Sequence, residues 1–268
     1  MSTVLDEIVA AKREEVARRK TKVTLEALKD RVAALPRPRN FFQAVTTPNN
    51  KRLNLIAEVK KASPSAGVIR ADFDPVAIAM SYEAAGADAL SVLTDGPYFQ
   101  GRLEYIGQVR ANVKLPVLRK DFIIDPWQVY ETRAAGADAM LLIAECLDMS
   151  LLMDLQILAA ELNLTVLIEV HDIENLIRVR DRLIGFPHRG YSLLGINNRD
   201  LRTFKVDLGT TLRLAELVED RGVLVSESGI TSADDIRRLQ TAGVRAALVG
   251  ETLMRSGDVA DTVKQLFL

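Results

Sequence analysis

One cysteine, two histidines and one tryptophan are all that 268 residues contain of those types, and each scarcity closes off a class of protein. The lone Cys146 can form no intramolecular disulfide, and two histidines without a cysteine pair make no structural zinc site, so the expectation is a reducing compartment and no metal. Neither sign of charge is in excess. The 35 Lys and Arg stand against 36 Asp and Glu, for a formal charge of -1, and the basic residues are scattered among acids. That excludes the basic field by which a protein holds a nucleic acid duplex. No apolar run approaches the roughly 20 residues that span a bilayer, and residues 1–20 carry acids without an apolar leader core. The chain therefore reads as cytoplasmic, with neither membrane nor nucleic acid as partner. With 48% hydrophobic and 26% charged residues, it is expected to fold and not to be disordered.

What is present is alternation. Eight β-rich runs occur in order, each followed by a helical stretch: LNLIAEVK at 53–60, ALSVLT at 89–94, PVLRKD at 116–121, DAMLLIAE at 138–145, LTVLIEV at 164–170, YSLLGINN at 191–198, GVLVSES at 222–228 and RAALVG at 245–250. Several intervening segments open with Pro or Ser and close with Gly, as helices start and stop. Eight βα units in a chain of this length predict an α/β protein, a single (β/α)8 TIM barrel domain over 1–268. An open doubly wound sheet is the alternative topology, but KKASPSAG at 60–67 lacks the glycine fingerprint of a dinucleotide site. Residues 1–48 carry two helical patterns, 5–19 and 24–34, ended by LPRPRN. A segment this short buries too little surface to stand alone, so it is expected as extra N-terminal helices packed on the barrel. AAGADAL at 84–90, AAGADAM at 134–140 and the looser TAGVRAAL at 241–248 put Gly where a helix ends and a strand begins, which speaks to architecture and not to function.

Reactive groups of such a barrel sit at the C-terminal ends of its strands, and here the runs end on polar residues. They close with Glu58 and Lys60, Lys120 and Asp121, Glu145, Glu169, Asn197, Asn198 and Arg199, and Glu227 and Ser228. Charges placed after stretches of Leu, Ile and Val are costly unless water, partners or a ligand satisfy them. Converging at one mouth, they would satisfy each other. Residues two apart share a strand face, so Glu58 and Lys60 point together with Ile56 below them. One Glu-x-Lys alone reads as a surface ion pair; the whole set of strand ends reads as an active site. The last two runs lead into Ser228-Gly229 and Gly250-Glu251 ahead of helical segments, where free backbone N–H groups make a phosphate site. The expected ligand is a small phosphorylated molecule. His171 and His188 receive no role, and Trp127 reads as packing.

The segments IAEVKKASPSAG (56–67), LTDGPYFQG (93–101), LRKDFIIDPWQ (118–128), LIEVHD (167–172), GINNRDL (195–201), SESGI (226–230) and VGETLM (249–254), in this order, resemble the indole-3-glycerol phosphate synthase family of tryptophan biosynthesis. The resemblance implies a cofactor-free carboxy-lyase that closes 1-(2-carboxyphenylamino)-1-deoxyribulose 5-phosphate to an indole with loss of carbon dioxide and water. It implies a catalytic set of Lys120, Glu169, Glu58 and Lys60, with Lys120 as the acid of ring closure and the proton transfers of dehydration shared among the others. Substrate contacts fall by the same resemblance to Ser63, Phe99, Phe122, Asn197, Arg199 and Glu227, with Asn197 and Arg199 near the anthranilate end and the two Phe as an apolar wall. Ser228, Gly229, Gly250 and Glu251 are implied as the phosphate contacts. The sequence has Tyr98, Phe99, Gln100 and Gly101 where Phe-Phe-Gly-Gly is frequent, and Glu251 where some members have Ser. Two lysines at one mouth are expected to depress the pKa of one of them. The expected assembly is a monomer or weak homo-oligomer. Two rival readings are a phosphoribosylanthranilate isomerase, which would need a Cys and Asp pair at strand ends, and a silent barrel, which should have lost a reactive strand-end residue.

Overall fold

Strands buried on both faces have to be sheathed by other elements, and the long strands of this chain are buried almost from end to end. The computed structural model describes residues 3–184, 192–200 and 203–268. The first strand, β1 (Asn54–Val59), is followed by a short antiparallel hairpin of β2 (Ala62–Ser63) and β3 (Gly67–Val68). Then come β4 (Ala89–Leu93), β5 (Val117–Lys120), β6 (Ala139–Ile143), β7 (Thr165–Val170), β8 (Ser192–Asn197), β9 (Leu224–Glu227) and β10 (Ala246–Val249). Apart from the hairpin, each strand pairs in parallel with the next, and β10 closes back on β1. Ala57 of β1 thus lies opposite Val249 on one side and Leu90 on the other. The expected (β/α)8 barrel is the observed fold, and each of the eight runs carries one barrel strand. Tyr191, which opens the sixth run, and His188 lie outside the described residues.

Three helices precede β1: α1 (Val4–Lys20), α2 (Leu25–Ala33) and α3 (Phe41–Thr46). The rest are α4 (Pro75–Ala84), α5 (Glu104–Asn112), α6 (Pro126–Ala134), α7 (Met149–Glu161), α8 (Ile173–Arg180), α9 (Gly209–Ala215), α10 (Ala233–Thr241), α11 (Glu251–Met254) and α12 (Val259–Phe267). Their starts follow from capping chemistry. Thr3, Thr24, Asn40, Asp74, Asp125, Asp148, Asp172, Ser232 and Asp258 each accept a hydrogen bond from the first turn of the helix they precede. Pro75 and Pro126 open α4 and α6, where a missing N–H costs nothing. Among the described residues no helix is long and apolar enough to cross a membrane.

Alternation along the strands makes two cores. Leu55, Ala57 and Val59 face outward to the helices, whereas Ile56 points inward with Leu118, Leu141, Leu167, Val225 and Leu248. LPRPRN does not end the helical extension as expected, because α3 follows it. Phe41 and Val45 of that helix are fully buried in the interior cluster beside the strand-start residues Ala89, Ala139 and Ala246, so α3 plugs the N-terminal end of the barrel. Asn54 fastens it there, its amide donating to the carbonyls of Ala44, Val45 and Thr47.

The recurring AAGAD segments are joints. Gly86 and Gly136 adopt φ of 87° and 90°, the left-handed conformation that ends a helix without side-chain strain. The Asp two residues on then accepts from the N–H of a neighbouring strand: Asp88 from Leu55 at 2.7 Å, Asp138 from Val117 at 2.9 Å. The looser third copy has Arg245 at the corresponding position and cannot make that bond.

The extension is tied down along its length. Leu28 of α2 packs with Val16 and with Trp127 of α6, whose indole N–H donates to the Val23 carbonyl at 3.1 Å. The apolar stripe expected on α1 is present, with Ile8, Val9 and Val16 buried. It also contains Lys12, 2% exposed, a buried cation that the sequence reading passed over.

Candidate active site

Inward alternation carries Glu58, Lys120, Glu169, Asn197 and Glu227 to the C-terminal ends of their strands, directly above the apolar interior. They surround a cavity of about 820 Å³. Every residue that the sequence singled out as catalytic, substrate-contacting or phosphate-contacting borders it. At its centre Lys120 Nζ lies 3.0 Å from Glu169 Oε2 and 2.5 Å from Glu227 Oε2. Beside it Lys60 Nζ lies 2.5 Å from Glu58 Oε1, so these two side chains do point together.

The electrostatics differ from expectation. Burial works against charge on Lys120, but Glu169, Glu227 and Glu58 outweigh it and hold the ammonium above the ordinary lysine range. At Lys120 the expected depression is reversed: the carboxylates around it decide its charge. The two glutamates bonded to Lys120 separate from one another. Burial and the repulsion of Glu169 push Glu227 well above the usual carboxylate range despite Lys120. Burial opposes ionisation of Glu169 as well, yet Lys120 and His171 together hold it well below that range. Two acids sharing one cation cannot both ionise cheaply. The two glutamates on either side of the ammonium are thus pushed in opposite directions, toward opposite acid–base character within one hydrogen-bonded set.

At the other end, Ser228 and Gly229 take φ of 64° and 74°, two successive left-handed residues that turn the chain after β9. Asn198 sits behind this turn, not in the cavity. Its amide donates to Ser226 Oγ and to the carbonyls of Glu227 and Ser228, and its oxygen accepts from Thr211. Thr252 Oγ1 donates to the Ile230 carbonyl at 2.7 Å, joining the turn after β9 to the one after β10. Arg199, expected near the anthranilate end, and Glu251, expected at the phosphate end, lie only 3.7 Å apart. Glu251 also pairs with Arg255 at 3.0 Å, and Arg199 donates to Ser65 Oγ at 3.3 Å. Phe99 and Phe122 make one side of the cavity, their ring centroids 6.3 Å apart and tilted by 40°.

Glu145, like Asn198, is a strand-end residue that does not reach the mouth. The chain leaves β6 in a 3-10 turn at Ala144–Cys146, which breaks the alternation that would have aimed Glu145 inward. It pairs instead with His171, a residue given no role from sequence and found between Glu145 and Glu169 at 3.3 and 3.2 Å. The signal was available, since residues 169 and 171 are two apart at a strand end. Val4, Leu5 and Ile8 of α1, which border the cavity, were also missed as site residues. Below them Lys12 Nζ is 2.9 Å from both Asp95 and Asp121, and Asp121 in turn holds Arg119 at 2.9 Å. A lysine on the apolar stripe of α1 was the clue to that cluster.

The chain compares as follows with known proteins. The family model described as indole-3-glycerol phosphate synthase matches residues 5–266. An indole-3-glycerol phosphate synthase of Rhodopirellula baltica is 48% identical over 264 residues, covering 98% of each chain. One of Rhodospirillum rubrum is 47% identical over 267 residues, covering 99% of each. Among solved structures, a 3-hexulose-6-phosphate synthase superposes with a TM-score of 0.60 at 19% identity, over 80% of this chain and 98% of that one, a likeness of fold.

Proposed function

The chain belongs to the indole-3-glycerol phosphate synthase family, a family of decarboxylating lyases, and from that membership we propose how its cavity closes 1-(2-carboxyphenylamino)-1-deoxyribulose 5-phosphate to indole-3-glycerol phosphate. The reading rests above all on Lys120 standing between Glu169 and Glu227 at the centre of the mouth. The ring carbon that bears the carboxylate attacks the ketone carbon. The carbonyl π pair moves to oxygen, which takes a proton from Lys120. The bond to the carboxylate then breaks, carbon dioxide leaves, and its electron pair restores the aromatic ring.

Dehydration completes the indole. Glu169, held ionised, takes the proton from the carbon next to nitrogen, while the Lys60–Glu58 pair delivers a proton to the departing hydroxyl so that it leaves as water. Glu169 returns its proton and solvent supplies the other. Holding the ring against Phe99 and Phe122 with its carboxylate toward Arg199 supplies the orientation that ring closure needs. The backbone at Ser228, Gly229, Gly250 and Glu251 receives the phosphate. Glu227, carried as a substrate contact, fits better as the neutral partner that fixes Lys120. Residues 1–268 act as one domain in this reading, with α1 forming part of the wall.

The decisive experiment mixes purified protein with the carboxyphenylamino-deoxyribulose phosphate and follows indole fluorescence, with Lys120→Ala in parallel. Turnover by wild type that falls by about 10²-fold or more in the variant supports the assignment. Undiminished turnover by the variant removes Lys120 as the acid, and no turnover by folded wild type removes the reading altogether.

A further inference from the structure

His171 is wedged behind Glu169, outside the cavity and 8% exposed at its side chain. Its Nε2 lies 3.2 Å from Glu169 Oε1 and its Nδ1 lies 3.3 Å from Glu145 Oε1. Neither ring nitrogen meets hydrogen-bond geometry in these close contacts, whereas the backbone N–H of His171 donates to Glu145 Oε1 at 3.0 Å. Glu145 thus grips both the backbone and the ring of His171. The result is a line of close contacts that runs from Glu145 through His171 and Glu169 to Lys120.

The other ionisable groups nearby offer Glu169 no second cation on this side. Burial, together with Glu145, Glu169 and Asp6, pushes the Cys146 thiol up, which leaves it neutral. Arg178 of α8 is engaged by the carbonyls of Ala144 and Leu147. Asp6 of α1 accepts from Thr3 at the start of its own helix, and Asp172 caps α8. Among the described residues, the cations paired with Glu169 are Lys120 and His171.

We propose that His171, held by Glu145 and wedged against Glu169 from the side opposite Lys120, is a positioning residue: its ring is the second cationic partner that fixes the Glu169 carboxylate against Lys120 and keeps it available as a base. The proposal rests on the reading of Glu169 as a base. Without a cation behind Glu169, Lys120 alone would face two glutamates, and either could hold the proton. The imidazolium persists across neutral pH, because Glu145 and Glu169 outweigh the effect of burial and push the ring to about 10.

The test is the pH dependence of kcat for His171→Gln and Glu145→Gln, with His171→Lys to restore the charge and Glu169→Gln as a control on the base itself. Alongside these, histidine 15N NMR of the intact wild-type protein reads the charge of the ring without turnover. The expected result for His171→Gln is an acid limb displaced upward by at least one pH unit, with KM unchanged. His171→Lys should return the limb toward wild type, and the wild-type ring should be doubly protonated at pH 8. An unmoved limb in folded His171→Gln, or a neutral ring at pH 8, overturns the proposal. A fully active Glu169→Gln variant instead overturns the assignment of Glu169, and the role of His171 with it, while the NMR result stands apart.

Discussion

Lys12 Nζ lies 2.9 Å from Asp121 Oδ1, so a side chain of the first helix holds the residue that follows Lys120. Asp121 also bonds Arg119, the residue before Lys120, which in turn pairs with Glu131 of α6 at 3.0 Å. Lys120 is therefore flanked in sequence by two charges locked beneath the mouth. Burial opposes both, but the Asp121 carboxyl is held below its usual range by Arg119 and Lys12, and the Lys12 ammonium above its own by Asp121 and Asp95.

Removing one member of a buried pair leaves the other charged and unpartnered. Lys12→Met is expected to lower the unfolding free energy by about 3–5 kcal/mol in urea. Adding Asp95→Asn should recover part of that loss. A single variant as stable as wild type would mean that Asp95 and Asp121 find water where α1 now covers them.

Gly250 has φ of -117°, which any residue can adopt, so only space argues for glycine here. A Cβ at this position would collide with Glu58 Oε1 and come within 3.0 Å of Glu58 Cδ. Gly250→Ala should dislodge Glu58 from Lys60 and lower kcat/KM by about 10²-fold, with the melting temperature little changed. Steady-state kinetics beside thermal unfolding separates this from simple destabilisation.

The ring of His171 is raised to about 10 from an ordinary 6.5, because Glu145 and Glu169 outweigh its burial. A raised pKa in the folded state gives stability that is fully present below about 6.5 and lost as pH rises toward about 10. Wild type should exceed His171→Gln in unfolding free energy at pH 6, and the gap should close by pH 10. A gap independent of pH in urea titrations would show that the ring contributes by packing and not by charge.

Glu251 places a carboxylate between Arg199 and Arg255, at 3.7 and 3.0 Å, on the rim where the phosphate is proposed to bind. An acid there repels a phosphate held by the neighbouring backbone and competes with it for Arg255. Glu251→Ser is expected to tighten competitive inhibition by inorganic phosphate by about two- to fivefold, the scale of a partly exposed ion pair. A higher inhibition constant in the variant would mean that Glu251 orders the arginines for the anion.

Much of the site was legible because a barrel ties position along a strand to position in space. Once eight runs were counted, Glu58, Lys120, Glu169 and Glu227 had to converge, since each ends a strand on its inward face. Glu145 shows the limit: it ends its run in the same way, yet a 3-10 turn at Ala144–Cys146 points it elsewhere. Lys12 and His171 show another. Periodicity places Lys12 on the buried stripe of α1, but Asp95 and Asp121 reach it from elements far away in the chain.

The closed barrel, the strand ends that meet at its mouth and, through the order of the motifs, the family are all written in the linear pattern of residues. These follow from local rules: alternation, capping and the position of a residue within its own strand. Which cation faces which carboxylate, and that α1 borders the cavity, emerge only once the chain is folded. Such properties depend on burial and on distances of a few ångströms between groups on different strands and helices, and a pattern along one strand carries no measure of either.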